Sequence, residues 1–228
     1  MTKRIKLFFD KNLFLRIITG VFFVSSFIFF IFNGSYLFIS YFLLLLSILI
    51  HELNSASTNK ISFKLRLTLS LILIFIIFYF IFLRISNSDD NIIYYLLYII
   101  FSIWIFDSFS LIGGKLIGGK KLLPNISPNK TYSGLLVGFL SLFIYSAIAT
   151  YIYKSNYVLI LSTFIIGIIS FLGDALESYF KRYLKIKDFS NLLPGHGGLL
   201  DRMDAFILIF FIHFIVISLD IIQISLYV

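Results

Sequence analysis

Seven apolar runs, each about as long as a helix that crosses a bilayer, succeed one another along this chain. They fall near 13–32, 35–51, 65–83, 92–112, 134–153, 157–177 and 205–226. Hydrocarbon offers no partner to a bare backbone amide, so runs this long and this continuous must close their own hydrogen bonds as α-helices. With 60% hydrophobic and 13% charged residues, too little polar surface remains to coat a soluble domain. The expected fold is an all-α polytopic membrane protein of about seven transmembrane helices, roughly six to eight. Only Asn33-Gly34 separates the first two runs, and a merged or re-entrant element there accounts for the range. No repeat of fixed period and no linker interrupts the pattern, so a single integral-membrane domain over 1–228 is expected.

The charges orient this bundle. Seventeen of the nineteen Lys and Arg fall on one side if the N-terminus is cytoplasmic, with only Arg84 and Lys154 opposite. The positive-inside rule then makes the polar segments 113–133 and 178–204 cytoplasmic. The basic start MTKRIKLFFDKN precedes an apolar run of spanning length with no small-residue cleavage site, so it reads as a retained first span. The chain has no Cys, which excludes disulfides, thiolate catalysis and cysteine-ligated metals.

The chemistry concentrates at the end of the sixth run. Asp174, Glu177, Ser178, Lys181 and Arg182 share one helical face. A solvated helix end with ion pairs such as Glu177–Lys181 is the plain explanation. However, Asp174 directly follows apolar Phe171-Leu172-Gly173, a depth at which a carboxylate needs a cation, a metal or water. Pro194-Gly195-His196-Gly197-Gly198 follows, a turn whose backbone N–H groups can cradle phosphate oxygens or simply turn the chain at the membrane surface. Asp201 and Asp204, three apart, open the seventh run. They suit the positive end of a helix, and with Asp174 they also form an oxygen ligand set of the kind Mg2+ takes. No HxxxH or HExxH spacing exists, which argues against zinc.

The second polar segment reads Gly113-Gly114-Lys115, then Gly118-Gly119-Lys120-Lys121, then Leu123-Pro124-Asn125-Ile126-Ser127-Pro128-Asn129-Lys130-Thr131. Glycine beside lysine suits polyphosphate contact, yet the Walker spacing fails because Lys121 follows Gly119-Lys120. Asp107 lies within the fourth run, and a basic partner on a neighbouring helix would account for it. His51-Glu52, at the end of the second run, reads as an interfacial cap or a helix-pairing group.

The run from Ser178 through Lys181-Arg182, Lys187-Asp188, Ser190, Leu193-Pro194, His196-Gly197-Gly198 and Asp201-Arg202 to Asp204 resembles the signature of the phosphatidate cytidylyltransferases, or CDP-diacylglycerol synthases. The Pro-x-x-Ser-Pro-x-Lys-Thr core of Leu123 to Thr131 resembles a second block of that family, and Arg16-Ile17-Ile18-Thr19-Gly20 is similar to its start. Two departures stand out. Tyr132-Ser133-Gly134 replaces the family's usual aromatic-Glu-Gly, and Ser108-Phe109-Ser110 follows Asp107 where an Ala-Tyr pair is usual nearby.

The resemblance implies a nucleotidyl transfer from CTP to phosphatidate that yields CDP-diacylglycerol and pyrophosphate. It implies catalytic roles for Asp174, Lys181, Arg182, His196, Asp201, Arg202 and Asp204. It implies substrate contacts from Lys121, Ser127, Lys130, Thr131, Lys187, Gly197 and Gly198, and Mg2+ held by Asp174, Asp201 and Asp204. The implied partners are CTP, phosphatidate and the lipid bilayer. No nucleic acid is expected, and a homodimer is left open. The implied location is the inner or plasma membrane, with the active site toward the cytoplasm. A CTP-dependent lipid-alcohol kinase would share the layout but not the signature. A transporter would carry charge at its span centres and on both leaflets, whereas these charges gather at one interface.

Overall fold

A computed structural model of the chain describes residues 11–55, 62–86, 90–153, 157–186, 188–190, 192 and 197–218. Seven α-helices are described: α1 (Lys11–Phe32), α2 (Ser35–Ser55), α3 (Phe63–Ser86), α4 (Asp90–Leu116), α5 (Tyr132–Tyr153), α6 (Val158–Tyr183) and α7 (Asp204–Ser218). Each coincides with one expected run. Several helices outlast their apolar windows: α4 continues to Leu116 and α6 to Tyr183. The backbone ladder does not end where the side chains turn polar. Five segments are long and apolar enough to span a membrane: Ser35–Ser55, Lys64–Ile85, Ile92–Leu116, Tyr132–Tyr153 and Val158–Tyr183. The described parts of α1 and α7 hold shorter apolar stretches, Val21–Phe32 and Asp204–Val216. The protein is therefore an all-α, multi-pass membrane protein.

The first two runs are separate helices, not one. Gly34 has φ +97°, a left-handed conformation that a glycine adopts without strain. Asn33 closes the end of α1 by donating its side-chain amide to the Phe29 carbonyl at 2.7 Å.

The chain divides into two compact units, each built from separated segments. One comprises Met1–Ser88 with Lys181–Met203, and the other Asp89–Phe180 with Asp204–Val228. In the first unit, α1, α2 and α3 meet over a cluster of Phe27, Phe38, Phe42 and Phe80, with the Phe42 ring centroid 4.8 Å from both Phe38 and Phe80. The tilted rings avoid face-to-face quadrupole repulsion.

In the second unit α4 and α5 pack closely because glycines line the contact. A methyl group at Gly134 would lie 2.5 Å from the Ser110 carbonyl oxygen. Small residues let helix backbones approach where no water drives association. Two polar contacts join helices inside this unit: the Tyr98 hydroxyl hydrogen-bonds Thr163, and the Tyr95 hydroxyl lies 2.7 Å from His213 Nε2.

Between α4 and α5 the glycine-lysine segment holds a strand pair rather than an open loop. β1 (Lys121–Leu123) and β2 (Ser127–Thr131) run antiparallel, with Lys121 opposite Thr131 and Leu123 opposite Ser127. The Ile126 N–H donates to the Leu123 carbonyl at 3.2 Å across the turn. Pro124, at the second turn position, presets the φ that such a turn needs.

Candidate active site

In the second unit, α6 carries two half-buried carboxylates about two turns before its end. Asp174 and Glu177 are three residues apart and share a face. α7 begins with Asp204 and packs against α6 at Gly173, where a methyl group would lie 3.0 Å from both Ala205 Cα and the Asp204 carbonyl oxygen. The missing side chain therefore sets how near Asp204 comes. Asp174, Glu177 and Asp204 each offer one oxygen, and these oxygens lie within 4.8 Å of one another.

Like charges this close repel. Burial first, and then the neighbouring Asp174, Glu177 and Asp107 carboxylates, push Asp204 well above the usual carboxylate range. Asp204 is the first residue of α7 and lies outside the five long spans. Lys130, from β2, answers part of this charge. Its Nζ donates to Asp174 Oδ2 at 2.7 Å and stands over the Phe171 ring, 4.6 Å from its centroid. Asp107 accepts the Ser170 hydroxyl at 3.0 Å.

The all-oxygen donor set is the test of a metal here. Three crowded carboxylates suit a hard divalent cation such as Mg2+, and no nitrogen or sulfur ligand stands among them.

The hairpin residues divide between structure and surface. Thr131 is buried, and its Oγ1 accepts the Gly134 N–H at 3.1 Å, capping α5. Ser133 donates to the Gly118 carbonyl and shares a 3.0 Å hydrogen bond with Thr131. Where the family carries a carboxylate, this chain thus uses a hydroxyl to tie the hairpin to the end of α4. Lys121 is exposed and Ser127 half-buried.

The signature segment belongs to the first unit, where two buried carboxylates hold it. Asp201 is 6% exposed. Its Oδ1 accepts Lys181 Nζ at 3.1 Å, and its Oδ2 accepts the N–H of Gly198 at 2.7 Å and that of Phe189 at 3.2 Å. Glu52, at the end of α2, is 1% exposed. Its Oε1 accepts the Ser190 hydroxyl at 2.7 Å and the Leu199 N–H at 2.8 Å, while Oε2 accepts the Leu200 N–H at 2.8 Å. Gly198 sits among these groups. A methyl group there would meet Glu52 Oε2 and Ser190 Oγ at 3.0 Å and Asp201 Oδ2 at 3.2 Å.

Three expectations change accordingly. The Gly198 N–H is committed to Asp201, so it is not a bare donor for phosphate. Asp201 is absent from the described trio of converging carboxylates, which is Asp174, Glu177 and Asp204. Its oxygens serve the signature segment instead. Glu52 is neither a cap nor a helix-pairing group: it anchors a segment far along the chain. Arg182 and Arg202 are exposed, and Gly197 is half-buried with φ +83°. His196 and Lys187 lie outside the described residues.

Glu177 and Glu52 are the site residues that the sequence reading passed over. Glu177 shares Asp174's face, where an ion pair with Lys181 is only the plain explanation the sequence offers. Glu52 carries its own signal: a carboxylate ending an apolar helix, with no basic residue three or four positions away, must find its partners elsewhere in the fold.

This multi-pass membrane protein brings three crowded carboxylates together beside a lysine. The chain matches the model of the cytidylyltransferase family over residues 57–220. It is 36% identical to a phosphatidate cytidylyltransferase of Rickettsia typhi, over 87% of this chain and 89% of the relative. It is also 36% identical to that of Rickettsia bellii, over 87% of each chain. Over 51% of its length it is 40% identical to that of Staphylococcus haemolyticus. The chain belongs to the cytidylyltransferase family.

Proposed function

We propose that this protein transfers the cytidylyl group of CTP to phosphatidate, giving CDP-diacylglycerol and pyrophosphate for phospholipid synthesis. The observation that carries this reading is the convergence of Asp174, Glu177 and Asp204 beside Lys130, in a chain of this family. An oxygen of the lipid phosphate attacks the α-phosphorus of CTP. That P–O bond forms as the α–β bridging bond breaks, and pyrophosphate leaves with the electron pair. A phosphate monoester is largely a dianion near neutral pH, with a second pKa of about 6, so no strong general base is needed. Catalysis is therefore mostly alignment and charge neutralisation.

Asp174, Glu177 and Asp204 would hold Mg2+, which when bound offsets the triphosphate charge and steadies the leaving group. Lys130 contributes fixed positive charge beside them. Lys181 positions Asp201, and Lys121 and Arg202, both exposed, would neutralise phosphates. The positive charge on one side of the spans supports a site facing the cytoplasm, in the inner or plasma membrane. Nothing in the reaction calls for a nucleic acid or for a second copy of the chain.

The test is label transfer in lipid-reconstituted protein, using CTP labelled at the α-phosphate with phosphatidate and Mg2+. Label entering a chloroform-soluble product with release of pyrophosphate is expected, and Asp174→Asn should remove it. Release of CDP instead would replace this reading with a lipid kinase.

A further inference from the structure

Lys130 reaches α6 from a weak support. Its Nζ meets Asp174 Oδ2 at 2.7 Å, the Phe171 carbonyl at 3.5 Å and the Phe171 ring. The residue itself rides on a hairpin whose strands have three and five residues. Two strands alone are marginally stable. The ladder is also irregular between the Lys121–Thr131 and Leu123–Ser127 pairs, and such a shift interrupts the strand bonds locally. Strand pairing by itself therefore does not fix where the lysine stands.

The base of the hairpin, next to Lys130, is held by side chains. Thr131 is buried against α4, where a methyl group at Gly114 would lie 3.0 Å from its Oγ1. That Oγ1 accepts the Gly134 N–H and lies 3.0 Å from Ser133 Oγ. Ser133 donates to the Gly118 carbonyl. A hydroxyl carries one proton. The proton of Ser133 is spent on Gly118, so Thr131 donates to Ser133. The bonds thus run in one direction from the start of α5, through Thr131 and Ser133, to the turn that leaves α4. The Tyr132 N–H adds a bond to the Lys120 carbonyl at the same base, 3.2 Å long. An ionised carboxylate at position 133 would only accept, and could not make the bond to Gly118.

We propose that Ser133 is a positioning residue for the active site and acts through Lys130. Its hydroxyl closes the base of the hairpin so that the lysine meets Asp174. This deepens the reaction proposed above and rests on it. All of these residues belong to the second unit.

The experiment is a double-mutant cycle. Label transfer from CTP to phosphatidate is measured in mixed micelles for wild type, Ser133→Ala, Lys130→Met and the double variant, with Ser133→Thr as the conservative control and thermal unfolding of each. Ser133→Ala should lower kcat/KM about tenfold, the effect of one lost hydrogen bond and a small misplacement of the charge. In the Lys130→Met background the same change should cost less than about twofold, because no lysine remains to be placed. Ser133→Thr keeps the hydroxyl and should stay within about threefold of wild type. A purely structural serine predicts the same loss in both backgrounds. That result overturns the proposal, as does an unchanged kcat/KM in Ser133→Ala, a threonine variant as weak as the alanine one, or a fall only in the amount of folded protein. Should Ser133→Ala fail to fold, Ser133→Cys, a weak donor of similar size, takes its place in the cycle and is judged by the same criterion. A wild-type protein without label transfer would remove the proposed reaction and this inference with it, whereas an active wild type with equal losses removes the inference alone.

Discussion

Lys130 Nζ stands 2.7 Å from Asp174 Oδ2, joining the strand β2 to the C-terminal half of α6. The pair is only partly buried, at 18% and 38% side-chain exposure, so it is open to an incoming ligand and weak as a source of stability. Its value lies in placing one positive charge beside three negative ones. Replacing Lys130 by Met should leave the unfolding midpoint nearly unchanged and lower kcat/KM about a hundredfold, the usual loss when a preorganised charge is deleted. Lys130→Arg should recover only part of this, because a planar fork does not reproduce a point charge. Wild-type kinetics in Lys130→Met would remove the residue from the site.

Gly173 sets the distance from α6 to the start of α7. Alanine there gains about 1 kcal/mol of helix propensity. It also forces a methyl group to 3.0 Å from backbone atoms of Asp204 and Ala205, and such overpacking costs about 1–3 kcal/mol. The two effects nearly cancel in stability but not in position. Displacement of Asp204 by a fraction of an ångström should cut activity about tenfold or more, while unfolding shifts by only a few degrees. A fully active Gly173→Ala would show that the approach of α7 is not critical.

Chelation should abolish activity, and Mg2+ or Mn2+ should restore it. In the absence of metal, Asp204→Asn should be at least as heat-stable as wild type, because it relieves repulsion in a crowded carboxylate group. Added Mg2+ should raise the unfolding midpoint of wild type and leave that of the variant unmoved, since only a bound ligand shifts the folded state. Equal responses in the two proteins would place the metal elsewhere.

Lys181 and Asp201 form a buried pair, at 12% and 2% side-chain exposure. Lys181→Met alone leaves Asp201 charged and buried with only backbone donors, a loss on the order of 3 kcal/mol. Adding Asp201→Asn should return part of that stability, because no charge is then stranded. Thermal or detergent unfolding of the two singles and the double gives the coupling. Strict additivity would mean that the pair does not interact in the membrane-embedded protein.

The helices were legible because each apolar run exceeds what any other structure could satisfy in lipid, and the described ends of α2 to α6 fall within a few residues of those runs. The polar segments were legible as chemistry but not as geometry. Asp174 and Glu177 share a face by local helix geometry, yet Asp204 joins them only because Gly173 admits α7 beside α6. Asp201, three residues from Asp204 in sequence, turns instead to Lys181 and Gly198. Glu52 gave a faint signal, a carboxylate without a local cation.

The sequence by itself determined the span pattern, the family and the stock of carboxylates, lysines and glycines, because hydrophobic length and motif spacing are local properties of the chain. Only the tertiary structure decided which carboxylates converge and which bond to the signature segment. That division depends on distances between residues far apart in the chain, Glu52 to Leu200 or Lys130 to Asp174. Helix packing fixes those distances, and hydrogen bonds and charge pairs reward them only once they are formed.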